Sequence, residues 1–116
     1  MIETFPDLDI LVGDETYLGR ACAAGAAGSI CGVANVCPEA VIALAENGHD
    51  DPGIVQLVEE ITRHSVIPVL KALVAHARND RAWAVVRPPL QMTDNETAGR
   101  VTPLLERLQH RIQAGA

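Results

Sequence analysis

LDILVGDETYLGRACAAGAAGSICGVANVCP, residues 8–38, carries the reading of the fold. Leu8–Val12 is short, and apolar apart from Asp9, as a mostly buried parallel strand would be. An acidic turn, Gly13-Asp14-Glu15, comes next, where Asp14 or Thr16 can cap a short helix running to about Ala24. Gly25 suits the left-handed stop of that helix. Gly19, inside it, is unfavourable by about 1 kcal/mol relative to Ala, which implies close packing on a neighbour. Ser29–Ala34 is the second predicted strand, with Asn35 and Val36 in its exit loop. Strand, helix and strand in this order make a βαβ unit, and in parallel α/β proteins sites are built where the strands end.

Beyond residue 38 the pattern is helical. Pro38 opens PEAVIALAEN and Asn47-Gly48 closes it. Asp51-Pro52 is a cap followed by a first-turn proline, and Ile54, Val55, Leu57, Val58 and Ile61 then form one broad apolar face. Pro68 either kinks that helix or starts a new one carrying Val69, Leu70, Leu73 and Val74. Residues 79–92 read as irregular, with Arg87-Pro88-Pro89 extended because each proline restrains its predecessor. Thr93-Asp94-Asn95-Glu96 is a capping box with Thr93 at the cap. It precedes a helix whose predicted buried stripe is Val101, Leu104, Leu105, Leu108 and Ile112.

The chain of 116 residues falls in one-domain range, and 48% apolar with 21% charged residues describes a globular protein. Phe5, Tyr17 and Trp83 are its only aromatic residues, and the formal charge is −6. Both facts argue against a nucleic-acid partner, which asks for basic grooves and stacking surfaces. Cys22, Cys31 and Cys37 form no CxxC pair, and His49, His64, His76 and His110 are scattered. Zinc coordination needs close pairs, so no metal is expected and the cysteines read as small buried thiols in a reducing, cytoplasmic setting. Residues 21–38 carry no charge and have the length of a membrane span, but they are dominated by Ala and Gly and hold few large apolar side chains. Gly28 and Gly32 make a GxxxG that is weak outside a truly apolar segment, so no membrane partner is expected. MIETFPDLD contains acidic residues and no long apolar run, unlike a signal peptide. GAAGSICG is not a dinucleotide loop, because its glycines precede a strand instead of linking a strand to the following helix.

Two parallel strands with four or five helices do not make a sheet covered on both faces. Strands that read as buried expect neighbours, so the chain looks like part of a domain. Four features then occur together in order: the GDE turn, GxxGSIxGxAN, Val66-Ile67-Pro68-Val69-Leu70-Lys71, and Val86-Arg87-Pro88-Pro89-Leu90. In these the sequence resembles the dihydrodipicolinate synthase/N-acetylneuraminate lyase family across about residues 5–110. The resemblance implies an α/β fold, the TIM (β/α)8 barrel, of which this is a helix-rich C-terminal part. Residues 1–48 would be the last two βα units and residues 49–116 a helical extension. It implies a class I lyase or aldolase acting through a Schiff base on pyruvate or a related 2-keto acid, without a cofactor, as a homo-oligomer. It also implies that the imine-forming lysine and the family's tyrosine lie upstream, with Met1 near the end of helix six as in a truncation or late start. The chain alone is then expected to be inactive.

The resemblance implies a substrate-binding set of Gly13, Asp14, Glu15, Ile30 and Cys31, with no catalytic residue in the chain. Gly13 would let a ligand approach the backbone. Asp14 and Glu15 would either line the pocket or cap a helix start and favour its dipole, and the two roles can fall to different residues. Ile30 matches the position whose backbone carbonyl faces the keto acid in the family; by its side chain alone it reads as core. Cys31 stands where many members have Ser, and a thiol is the poorer hydrogen-bond donor. Asn35 reads as a structural holder of the exit loop. Lys71, the chain's one lysine, reads as structural or surface-exposed, and Arg87 as structural. The competing reading is a non-catalytic helical module that self-associates through unpaired apolar strand edges.

Overall fold

The two predicted strands pair in parallel, but over two residues each. In the computed structural model, which describes residues 1–115, β1 is Leu11–Val12 and β2 is Gly28–Ser29, with Leu11 opposite Gly28 and Val12 opposite Ser29. The Ser29 hydroxyl donates to the Val12 carbonyl at 2.7 Å and pins this register. Between the strands lie a 3-10 turn, Glu15–Tyr17, and α1, Leu18–Ala23. A second 3-10 turn, Val33–Asn35, leads to α2, Pro38–Asn47. The chain continues through α3 (Pro52–Thr62), α4 (Val66–Arg78), a 3-10 turn at Arg81–Ala84, and α5 (Asn95–Gly115).

The predicted strand Ser29–Ala34 is therefore corrected: only Ser29 lies in β2, and the chain beyond it leads into the Val33–Asn35 turn. The Val33 amide that a longer ladder would have used donates instead to Glu15 Oε1 at 2.8 Å. The expected burial of Leu8–Val12 is corrected as well. Only Val12 is buried, while Leu8 and Leu11 are 61% and 52% exposed, because each strand has a partner on one edge only.

Helix boundaries follow the punctuation. Gly25 (φ 109°) and Gly48 (φ 68°) take the left-handed conformations that stop α1 and α2. Asp51 caps α3 by accepting from the amides of Gly53 and Ile54 at 2.8 and 3.4 Å. Pro68 starts a helix and kinks none: residues 63–65 break the path, and the proline sits buried in the first turn of α4, where its missing N–H costs nothing. At α5 the expected cap moves by one residue. Asp94, not Thr93, accepts from the Thr97 amide at 2.7 Å, and the Thr93 hydroxyl is buried without a partner. A carboxylate is the better acceptor for an exposed helix start, which accounts for the shift. Pro88 and Pro89 are not extended but form a turn closed by the Leu90 amide on the Arg87 carbonyl at 3.0 Å. Arg78 stacks 5.1 Å from the Trp83 ring centre and folds the irregular segment back onto α4.

Most of the core is made by α2–α5, with Val12, Leu18, Val33, Val36 and Cys37 added from the βαβ unit and its exit. Leu44, Ile54, Leu57, Ile61, Leu73 and Leu105 are buried within it, each worth roughly 1.5–3 kcal/mol against exposure. Of the predicted α5 stripe, Val101, Leu105 and Leu108 are fully buried and Leu104 and Ile112 partly so. Gly19 explains how the βαβ unit docks on this body. A Cβ there would lie 2.3 Å from the carbonyl carbon and oxygen of His49, so only glycine lets α1 rest on the His49–Asp50 backbone. Asp50 then receives the Arg20 amide at 3.2 Å and pairs with the Arg20 guanidinium. Among the described residues, no helix is long and apolar enough to cross a membrane.

Candidate functional site

Where β1 ends, Gly13-Asp14-Glu15 turns the chain, and three glycine- or carboxylate-bearing residues meet the foot of α3 and the start of α4. The cleft they bound has a volume of about 240 Å³. Gly13, Asp14, Glu15, Gly32 and Val33 form its strand side. Val58, Ile61 and Thr62 of α3 and Val66 and Leu70 of α4 close the other. Thus three of the five predicted substrate-binding residues come together, and Gly32 and Val33 join them.

The two carboxylates of this cleft differ. Asp14 Oδ1 accepts from the Thr16 amide at 2.9 Å and the Thr16 hydroxyl at 2.6 Å, so Asp14 caps the 3-10 turn while still bordering the cleft. Glu15 is 6% exposed and, among the described residues, is the only charged one that is buried. Its bond to Val33 ties the end of β1 to the exit of β2. Capping falls to Asp14, and both side chains border the cleft.

Ile30 and Cys31 stand apart from the cleft. Ile30 is 76% exposed, far from the core position its side chain suggests, and its amide donates to the Val12 carbonyl at 3.2 Å. Cys31 is half-buried; burial raises its thiol pKa, the nearby Ser29 hydroxyl opposes this and the Glu15 carboxylate adds to it. It is a neutral, weakly donating group beside Glu15. Cys37 is fully buried and is raised chiefly by burial, while Cys22 is half-buried. Asn35 does hold the exit loop, its side-chain amide donating to the Gly32 carbonyl at 3.1 Å. Lys71 follows Leu70 on α4 and is not among the residues lining the cleft.

A larger cleft, about 580 Å³, lies between the start of α2 and the ends of α4 and α5, beside Cys37, Arg78 and Gln109. It contains none of the predicted site residues, and Gln109 there is engaged with the Val36 carbonyl at 3.2 Å.

The aliphatic wall from α3 and α4 escaped the sequence reading, which assigned Val58, Ile61 and Leu70 simply to apolar helix faces. One signal for it exists in the sequence, Gly32. A Cβ at Gly32 would sit 2.5 Å from Leu70 Cδ1, so this glycine makes room for the side chain that closes the cleft.

No family model matches the chain, and no curated protein does. A solved structure does: the crystal structure of dihydrodipicolinate synthase from Agrobacterium tumefaciens str. C58 is 38% identical with a TM-score of 0.85, over 92% of this chain. Over that stretch the chain resembles the dihydrodipicolinate synthase family. It spans 37% of the length of that synthase chain. The family resemblance carried by the GDE turn, the glycine-rich strand exit and the two proline motifs is thereby shown. The described residues are helix-rich, with two parallel strands.

Proposed function

We propose that residues 1–116 are the last two βα units and the C-terminal helical extension of a (β/α)8-barrel lyase that works through a Schiff base on pyruvate or a related 2-keto acid. The observation that carries the reading is the 38% identity to a dihydrodipicolinate synthase across 92% of the chain. In that barrel a lysine amine attacks the C2 carbonyl of the keto acid and water leaves. The resulting imine then lets the carbon–carbon bond at C3 form or break. These residues contribute one wall of the pocket. Gly13 offers open backbone, since no atom lies within 4 Å of a Cβ built there. Asp14 and Glu15 shape the floor, and Ile30 and Cys31 follow on the neighbouring strand end. In this reading the imine-forming lysine comes from outside these residues, since Lys71, the one lysine of the sequence, is not among the residues lining the cleft. A cytoplasmic homo-oligomer is part of the same reading.

Borohydride trapping tests it. Purified 116-residue protein incubated with pyruvate and borohydride should gain no mass, whereas co-expression with a chain supplying the six preceding strands should restore trapping and turnover. Turnover by the 116 residues alone, or labelling of Lys71, would refute the assignment.

A second reading, a self-associating module, is favoured by the exposure of Leu8, Leu11 and Ile30 at the strand edges. A monodisperse dimer with exchange-protected strands supports it. Aggregation, or a molten state that binds hydrophobic dyes, supports the barrel portion instead.

A further inference from the structure

We propose that the 580 Å³ cleft between the start of α2 and the ends of α4 and α5 binds a small zwitterion with an apolar side chain, an aliphatic α-amino acid. The proposal stands on this cleft alone and does not depend on the lyase reading.

The volume lies within the ~300–1,000 Å³ of small-molecule sites. Two opposite charges border it, each brought by a different element. Glu39 stands in the first turn of α2 and Arg78 in the last turn of α4. Helix dipoles favour both signs at these positions, but they fill none of the hydrogen-bond sites of either side chain. Among the described residues neither group takes part in an ion pair, whereas Glu60, Arg63 and Arg100, in the cleft between α3 and α5, are all paired. Arg78 is also held in place. Its guanidinium lies 5.1 Å from the centre of the Trp83 ring, and such stacking on a face leaves the N–H edge to meet a carboxylate. A free carboxylate and a free guanidinium on one cleft suit a ligand that carries both opposite charges. A simple anion would gain Arg78 but meet Glu39, and a simple cation would do the reverse. Val36, Val74 and Ile112 in the same lining favour an aliphatic group. Gln109 donates its nitrogen to the Val36 carbonyl at 3.2 Å, which keeps its oxygen as a further acceptor for an ammonium.

Amide NMR on the purified chain tests this with four probes: L-leucine, glycine, 4-methylpentanoate and 3-methylbutylamine. They carry both charges with a side chain, both charges without one, and each charge alone. Leucine should shift the Glu39, Ala77 and Ile112 amides. It should bind about threefold or more tightly than either single-charge analogue, the worth of an exposed ion pair. Its advantage over glycine should be at least about tenfold, since each buried methylene is worth about fourfold. Glu39 and Arg78 are exposed, so Glu39→Gln and Arg78→Gln should leave the fold intact. Glu39→Gln should abolish the preference for leucine over 4-methylpentanoate, and Arg78→Gln the preference over 3-methylbutylamine. Glycine or either single-charge analogue binding as tightly as leucine would overturn the proposal. So would the absence of a leucine shift at the three amides, or unchanged preferences in the variants. The same titration on the chain co-expressed with one supplying the six preceding strands should give the same order; leucine binding lost there would show the cleft covered in the barrel and refute the site.

Discussion

Replacing Glu15 by alanine should destabilise the protein by about 2–3 kcal/mol, while Glu15→Gln should stay within about 1 kcal/mol of the parent. The difference follows from one bond. The Glu15 carboxylate accepts from the Val33 amide at 2.8 Å, and Val33 is 2% exposed. Alanine leaves that nearly buried N–H without its protein partner, a loss of about 1–3 kcal/mol, and it also removes the buried side chain that joins β1 to the exit of β2. Glutamine keeps a carbonyl acceptor in the same place and brings no charge to bury, so what the charge-assisted bond gave is offset by what its desolvation took. At roughly 4 °C per kcal/mol, Glu15→Ala should melt about 8–12 °C below the parent. Thermal melts of the three proteins, with hydrogen exchange at the Val33 amide, make the comparison. Exchange at Val33 should accelerate in Ala and stay slow in Gln. The reasoning fails if Ala and Gln melt together, or if Val33 exchanges at the parental rate when Glu15 is gone.

Gly19→Ala should cost at least about 2 kcal/mol in urea unfolding, because its Cβ would collide with the His49 backbone, which cannot swing aside as a flexible side chain would. At the start of α5, Asp94→Ala should lose about 1 kcal/mol while Thr93→Val is neutral or stabilising, since only Asp94 caps and the Thr93 hydroxyl is buried unpaired; the opposite order in melting temperatures would return the cap to Thr93. Burial opposes ionisation of Asp51, but the Arg111 guanidinium at 2.5 Å and the Gly53 amide outweigh it and hold its pKa below the ordinary carboxylate value. A depressed folded pKa means stability that is complete above the unfolded value of about 3.9 and is lost as pH falls through the folded one. Arg111→Gln should therefore flatten the acid limb of the stability curve below pH ~4 and leave the neutral region little changed beyond the lost ion pair.

The helices were legible because their signals are local. Pro38 and Gly48 bracket α2, and Asp51-Pro52 opens α3, through chemistry complete within a few residues of each boundary. Gly19 was legible for a related reason: a helix that tolerates glycine has something pressed against it. The strands were less so. Ser29–Ala34 looks like one strand because nothing nearby says that Glu15, fourteen residues before Ser29, will claim the Val33 amide and bend the chain away. The cleft was legible on its strand side, where the GDE turn announces itself, and hidden on its helical side. Val58, Ile61 and Leu70 have the spacing of any buried face, and only packing decides which of them borders open space. Ile30 shows the limit of reading a side chain by its type, for a β-branched residue in an apolar run proves to be 76% exposed.

These two outcomes have one physical cause. Among the described residues, most of the core comes from α2–α5; the two strands themselves contribute Val12, while Leu18 of α1 and Val33, Val36 and Cys37 beyond β2 complete it. The helices therefore satisfy their apolar faces on one another, which is why their local signals sufficed. The strands do not: their ladder is two residues long, and Leu8, Leu11 and Ile30 remain in water at its edges. Parallel strands gain stability from neighbours on both edges and cover on both faces, so a parallel pair of this length contributes little by itself. Docking of α1 through Gly19 and the Arg20–Asp50 pair ties the βαβ unit to the helical body, and the Glu15–Val33 bond ties the two strand ends to each other. The polar turn of the cleft thus takes its position from helix packing, not from a sheet. Glu15→Ala is consequently a test of the site and of the fold at once: it cuts the side-chain bond that fixes the Val33 side of the cleft relative to the Gly13 turn.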